Sequence, residues 1–180
     1  STPVDGPMPE FYEPVESPTH NALHTNELAQ FNPCVKYPRV PEKQPLGTKD
    51  KFPYVLTSSG IAEHWCSGTI TRNIPWLNEL VKEPFVEISE QLAKKLSIKE
   101  GDKVKVSSAR GAVVVKAMVT KRAQPLMING DETHMVWMPY SWGFKGLAKG
   151  PSTNYLTIDA LDPNTQEQEF KACLVNIVKA

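Results

Sequence analysis

The chain has 180 residues, 20 Lys and Arg against 20 Asp and Glu, and an apolar fraction of 40%. A net charge of zero excludes the basic field that gives nucleic-acid or anionic-membrane surfaces their affinity. No apolar run approaches the roughly 18 residues of a membrane helix, and no basic-then-apolar signal segment opens the sequence. The length suits one domain with a tail. Cys34, Cys66 and Cys173 form neither a CxxC pair nor a disulfide framework, which argues against a structural zinc or an iron–sulfur cluster.

Residues 1–50 differ in material from the rest. Pro3, Pro7, Pro9, Pro14, Pro18, Pro33, Pro38, Pro41 and Pro45 all fall there. Proline fixes φ and lacks an amide proton, so this segment is expected to be an extended strap with polyproline-type stretches. Phe11, Tyr12, Phe31 and Tyr37 read as docking residues on that strap, with a disordered tail as the alternative. The division is therefore a strap, 1–50, and a folded domain, 51–180.

Phe52–Thr57 is the first predicted strand, and Thr57-Ser58-Ser59-Gly60 reads as a break that leaves backbone N–H groups free. Glu63, His64, Trp65, Cys66, Ser67, Gly68, Thr69 and Thr71 follow within nine positions. Amides and hydroxyls beside a glycine suit phosphate oxygens, and Trp65 with His64 suits a flat heteroaromatic ring. The plainer alternatives are a packed His64 beside Trp65 and Cys66 as a small apolar filler. Pro75 opens a short helix, Ile74–Val81. Phe85–Ile88 is the second strand. Ser89 then caps a helix that places Leu92, Ala93 and Leu96 on one face, with Lys94 and Lys95 in water.

Lys103–Ser107 alternates polar and apolar residues, as a half-buried strand does. After the Ala109-Arg110-Gly111 turn, Val113–Thr120 is nearly continuous in Val, Ala and Met, which predicts burial on both faces or at a barrel seam. Asn129-Gly130 is a type I′ hairpin signal between Leu126–Ile128 and His134–Met138. A glycine-rich loop, Trp142–Gly146, continues to Gly150-Pro151, and Ala172–Val178 is the last strand, with Cys173 in its core alternation. About six strands, one or two short helices and no βαβ repeat predict a small closed barrel.

Glu63–Thr71 (EHWCSGTIT) and the FVEIS…RG run at Phe85–Gly111 resemble the C-terminal domain of the molybdopterin-dependent oxidoreductases. DGPMPEFYEPVESP at Asp5–Pro18, PLMINGDETHMVWMPYSWGFKG at Pro125–Gly146 and NYLTIDALDPNTQEQEFKACLVNI at Asn154–Ile177 are similar to the catalytic alpha subunit of formate dehydrogenase. The resemblance covers almost the whole chain. It implies a mainly β fold with short helices: a six-stranded double-psi β-barrel preceded by the Pro-rich segment. In the full enzyme it implies two molybdopterin guanine dinucleotides holding molybdenum or tungsten, and none tightly bound by this segment alone.

The resemblance also implies which residues face the cofactor. They are Thr57, Ser58, Glu63, His64, Trp65, Ser67, Gly68, Thr69, Thr71, Trp142, Gly143, Asn154, Phe170 and Lys171. No catalytic residue and no metal ligand is implied here, because the metal's protein ligand belongs to the preceding domains of the family. Those domains, and an iron–sulfur electron-transfer subunit, are the implied partners; nucleic acid and membrane insertion are not. Whether such an enzyme is cytoplasmic or periplasmic depends on a signal outside this segment. The sequence departs from the family pattern in having no arginine across Ser58-Ser59-Gly60-Ile61-Ala62, and in Cys66, Gln168 and Phe170. A nitrate reductase is the alternative within the superfamily, and a non-enzymatic protein-binding barrel is the alternative outside it.

Overall fold

The computed structural model describes residues 14, 16–19, 45–143, 145–161, 168 and 172–180. Six strands close into a barrel: β1 (Tyr54–Ser59), β2 (Phe85–Ser89), β3 (Lys103–Ser107), β4 (Ala112–Thr120), β7 (Met135–Pro139) and β8 (Cys173–Lys179). Their order around the ring is β1-β7-β2-β4-β3-β8, and β1 meets β8 to close it. Two pairs are parallel, β1 with β7 and β2 with β4, and the remaining ones are antiparallel. Parallel neighbours need crossover connections. Helix α2 (Glu90–Leu96) and β3 lie on the path from β2 to β4. The fold is a double-psi β-barrel.

Strand alternation fills the interior. Val86, Ile88, Val104, Val106, Val113, Val115, Val136, Met138, Val175 and Ile177 belong to one buried cluster with Tyr54 and Leu56. Residues at i and i+2 share a face of a strand, so each strand supplies its inward set to this core. Helix α2 covers it with Leu92 and Ala93. Its start is fixed by Ser89, whose Oγ accepts from the Leu92 amide at 3.0 Å.

Three expectations are corrected. Of the two readings of β4, burial on both faces is the one corrected: the strand alternates between buried and open positions, with Val114 half exposed. A barrel strand has one solvated face, and an apolar side chain on that face is no obstacle to folding. β1 does not break at Thr57 but continues to Ser59, in register with Pro139 of β7. The Asn129-Gly130 turn has the positive φ at both residues that a type I′ turn requires. However, it pairs β5 (Leu126–Ile128) with β6 (Asp131–Thr133), while the apolar run after it enters the barrel as β7. A two-residue loop pairs the residues that flank it directly, so the partner strand had to begin at Asp131.

Residues 1–50 touch the rest of the chain at several described points, among them Lys49, paired with Asp131 at 2.8 Å, and Glu16. Glu16 has a fully covered side chain that accepts from the Gly47 amide at 2.5 Å and the Leu174 amide at 2.6 Å. Arg110 grips the same carboxylate through Nη1 at 2.5 Å and Nη2 at 3.0 Å. Burial opposes the charge on Arg110, but hydrogen bonding to Glu16 and the Glu16 charge outweigh it and hold the guanidinium above its ordinary pKa. Phe11, Tyr12, Phe31, Tyr37 and Cys34 lie outside the described residues.

Candidate functional site

Because β1 and β7 run parallel, both finish at the same end of the barrel, Ser59 beside Pro139. The two loops that carry most of the expected site residues, 60–73 and 140–150, therefore start side by side. The first is not an open phosphate loop. It coils into successive turns: Ile61 bridges His64, the Gly68 amide donates to Trp65 O at 2.8 Å, and the Arg72 amide donates to Gly68 O at 2.9 Å. Cys66 and Gly68 take positive φ to make this winding possible. The amides of His64, Trp65 and Gly68 are thus used within the loop.

His64 is the pin of this clasp. It is buried, and its Nε2 lies 2.8 Å from Val81 O, which can only accept. The proton therefore sits on Nε2, and Nδ1 accepts from the Thr71 hydroxyl at 3.3 Å. Thr71 Oγ1 in turn accepts from the Trp65 amide at 3.1 Å. Trp142, from the second loop, meets the His64 ring edge-on with centroids 5.4 Å apart. On Trp142 lies the guanidinium of Arg72, 5.6 Å from the ring centre. Gly143 leaves room for it, since a Cβ there would sit 3.3 Å from Nη1. Nε of Arg72 donates to Gly68 O at 3.0 Å, and Asn78 Nδ2 donates to Arg72 O at 2.7 Å. Helix α1 (Pro75–Leu80) supplies Asn78 and ends at Val81, the acceptor of the histidine bond.

Two donors here are buried without a hydrogen-bond partner among the described residues: Nη1 of Arg72 and Nε1 of Trp142. Burial without a counter-charge pulls the Arg72 guanidinium below its ordinary pKa. Tyr140 donates to Cys66 Sγ at 3.5 Å, and this bond, followed by burial, holds the phenol above its ordinary pKa. Cys66 is exposed, which corrects its reading as an apolar filler: it occupies the left-handed turn and lines the cleft with Ser59, Gly60, Ser67, Gly68, Arg72 and Trp142. Cys173 is in the core as expected.

The remaining expected residues divide. Ser67 and Thr69 bond each other through their hydroxyls at 2.8 Å. Trp65 is 71% exposed. Thr57 and Ser58 lie within the β1–β7 ladder, Ser58 buried and Thr57 half-buried. Glu63 borders a neighbouring cleft of about 320 Å³, whose walls include Phe85, Glu87, Arg122 and Trp137. In it Arg122 pairs with Glu87 and lies over the Trp137 ring. Asn154 is exposed on a 3-10 turn, Thr153–Tyr155, and Thr153 Oγ1 donates to Pro139 O at 2.6 Å, which ties that turn to the end of β7. Phe170 and Lys171 lie outside the described residues. His64, Gly68, Thr71, Trp142 and Gly143 thus form one contact cluster, and Asn154 is linked to the same strand end. Arg72 and Tyr140 were missed in the sequence. The signal for Arg72 was present, an arginine four residues after the glycine of a hydroxyl-rich loop. Among the described residues, no group of three or more His, Cys, Asp or Glu is placed to hold a metal ion, and no helix is long and apolar enough to cross a membrane.

A model of the molydopterin dinucleotide binding domain matches residues 54–174, and the chain belongs to that family. Within it, the chain groups with the version carried by formate dehydrogenase alpha subunits. It is 43% identical over 178 residues, 98% of its length, to formate dehydrogenase 2 subunit alpha (cytochrome c-553) of Nitratidesulfovibrio vulgaris. It is 45% identical over 182 residues to the major subunit of the nitrate-inducible formate dehydrogenase of Escherichia coli. The chain spans 17% of the length of each of these relatives. Acetylene hydratase from Pelobacter acetylenicus shares the fold, with a TM-score of 0.57 at 16% identity, over 97% of this chain and 21% of that one.

Proposed function

We propose that the clasp end of the barrel receives the phosphate and pterin portions of a molybdopterin guanine dinucleotide, and that this domain serves a formate-oxidising enzyme as its cofactor holder. The observation that carries the reading is the pair of unpartnered buried donors, Arg72 Nη1 and Trp142 Nε1, at the junction of the two loops. Buried donors without partners are costly, and a ligand rich in acceptor oxygens is the simplest source of partners. The donor set fits the cofactor: one guanidinium with a free N–H, an indole N–H, the Ser67 and Thr69 hydroxyls, and an exposed Asn154. Arg72 reaches the site from after the EHW segment and offsets the arginine absent before it.

When bound, the group supplies the metal-centred redox chemistry, and the chain's own residues hold and orient it. Arg72 and the hydroxyls of Ser67 and Thr69 meet phosphate oxygens. Asn154 and Lys171 bond the pterin, and Phe170 packs against it. Trp65 offers stacking surface. His64 and Thr71, with their bonds already made to one another and to Val81 O, orient the loop. The identity of the metal, molybdenum or tungsten, and the count of two dinucleotides per metal belong to this proposal. So do the partners: the preceding domains of the same subunit and an iron–sulfur subunit that takes the electrons.

The test uses the full-length catalytic subunit that carries this sequence. Metal, released GMP and formate-dependent dye reduction are measured on one preparation. Two GMP per metal together with formate activity support the reading. Metal and GMP without formate activity keep the cofactor and move the substrate to another reaction of the superfamily, nitrate reduction first. Neither metal nor GMP leaves a barrel of some other purpose. Asn154→Ala, Lys171→Ala and Arg72→Gln each lower the GMP retained per polypeptide; full retention in all three refutes the residue assignment.

A further inference from the structure

Glu16 and Asn154 are far apart in the sequence, yet a continuous chain of contacts joins them. The Glu16 carboxylate is held by Arg110 Nη1 and Nη2. The same guanidinium donates through Nε at 3.0 Å and Nη2 at 2.9 Å to the carbonyl of Leu156, and through Nη1 at 2.9 Å to Pro45 O. Leu156 ends the Thr153–Tyr155 turn, its amide donating to Thr153 O at 2.8 Å. Gly111 lies so close to this turn that a Cβ would come within 2.8 Å of Tyr155 O. On the other side Thr153 bonds the last residue of β7. The turn that presents Asn154 is therefore gripped from both sides, and one grip depends on a residue of the proline-rich segment.

We propose that Glu16 and Arg110 are positioning residues for the cofactor face: the strap's carboxylate fixes Arg110, Arg110 fixes Leu156, and Leu156 fixes the turn that carries Asn154. The first links are geometry within this chain, and the last, that Asn154 meets the cofactor, rests on the function proposed above. The physical reason is the fork of Arg110. A guanidinium has five N–H donors in a fixed plane. With Glu16 in place, that plane is oriented by three contacts, two to Glu16 and one to Pro45 O, and the two donors left for Leu156 O are aimed. Without Glu16, a buried cation would have lost its partner and would turn toward water, taking the aim with it.

The test has two arms. In the 180-residue chain, amide hydrogen exchange is followed by NMR in Glu16→Ala. Exchange at Leu156 is expected to speed up about tenfold or more, with shifted Asn154 side-chain amide signals, while Val86 and Ile88 in β2 keep their protection. A residue that merely stabilised the barrel would raise exchange everywhere, and that result overturns the proposal, as does unchanged exchange at Leu156. Should Glu16→Ala fail to fold, Glu16→Gln, which keeps an acceptor oxygen, and Arg110→Lys, which keeps the charge but not the fork, give the same localised signature in weaker form if the proposal holds. In the second arm, the full catalytic subunit carrying Glu16→Ala is measured for GMP per polypeptide beside Asn154→Ala. Several-fold loss in both supports the link to the cofactor. Loss in Asn154→Ala with full retention in Glu16→Ala overturns it. Full retention in Asn154→Ala refutes the cofactor role of Asn154, and the exchange arm then decides the positioning link by itself.

Discussion

Val86, Ile88, Val104, Val106, Val136 and Ile177 lie at the centre of the barrel, each fully buried within one apolar cluster. A few residues away, where β1 and β7 end, the buried groups are His64, Asn78, Thr153 and the inner nitrogen of Arg72. The centre is held by apolar burial, which is non-directional and shared among many side chains. The clasp is held by a handful of directed bonds, most of them to backbone carbonyls, and it leaves donors over. One region is built for stability. The other leaves buried donors without a partner, and such groups cost stability.

Deleting core volume at the centre should produce the largest change. Leu56→Ala removes a side chain that is 1% exposed and is expected to destabilise by about 3 kcal/mol. Urea unfolding checks this, and a loss below about 1 kcal/mol would mean that the centre is not tightly packed. His64→Ala comes next, at about 2 kcal/mol, because Val81 O and the Thr71 hydroxyl lose a shared partner. Here the fluorescence of Trp142 should shift along with stability, since the two rings touch. In a background where Trp142 is the sole tryptophan, a stability loss without any spectral change would separate the pin from the second loop and break the comparison.

His134 sharpens the contrast through pH. It is buried beside Tyr54, and burial holds its pKa below the ordinary histidine value despite the nearby Glu132. The unfolded chain therefore binds the proton first. The His134 contribution is flat above about pH 6.5 and lowers stability as pH falls below that toward the folded value. His134→Gln should remove part of that decline. Unfolding midpoints at stepped pH read it, and equal slopes in the two proteins would count against a neutral buried His134. The smallest effect belongs to Arg72→Met, whose free-chain stability should change by less than about 1 kcal/mol in either direction. The variant loses two good contacts, to Gly68 O and the Trp142 face, and is relieved of a buried unpartnered N–H. A large destabilisation would make Arg72 a structural member of the clasp.

The strands were legible because their signals are local. Lys103–Ser107 alternates in sequence and in burial, Ser89 caps the helix it precedes, and Asn129-Gly130 makes the turn its φ angles demand. The partners of those strands were less legible. His134–Met138 reads as the return arm of a hairpin, and the pairing of β7 with β1 and β2 is set by side chains far away in the chain. The site was legible as a composition, in that Glu63–Thr71 holds too many polar and aromatic groups for a core segment. Its wiring was hidden, because His64 looks the same whether it faces a ligand or bonds Val81 O.

By itself, then, the sequence determined the family, the six barrel strands, the helix cap and the stretch in which the polar groups gather. Those follow from residue type, spacing and resemblance, which act over a few residues or are carried whole. Tertiary structure alone decided three things: that β1 and β7 lie parallel and bring the two loops to one end, that Arg72 lies on Trp142 with one nitrogen unpartnered, and that Glu16 reaches across 94 positions to hold Arg110. Each depends on where the closed ring places distant backbone, and ring closure is a property of all six strands together.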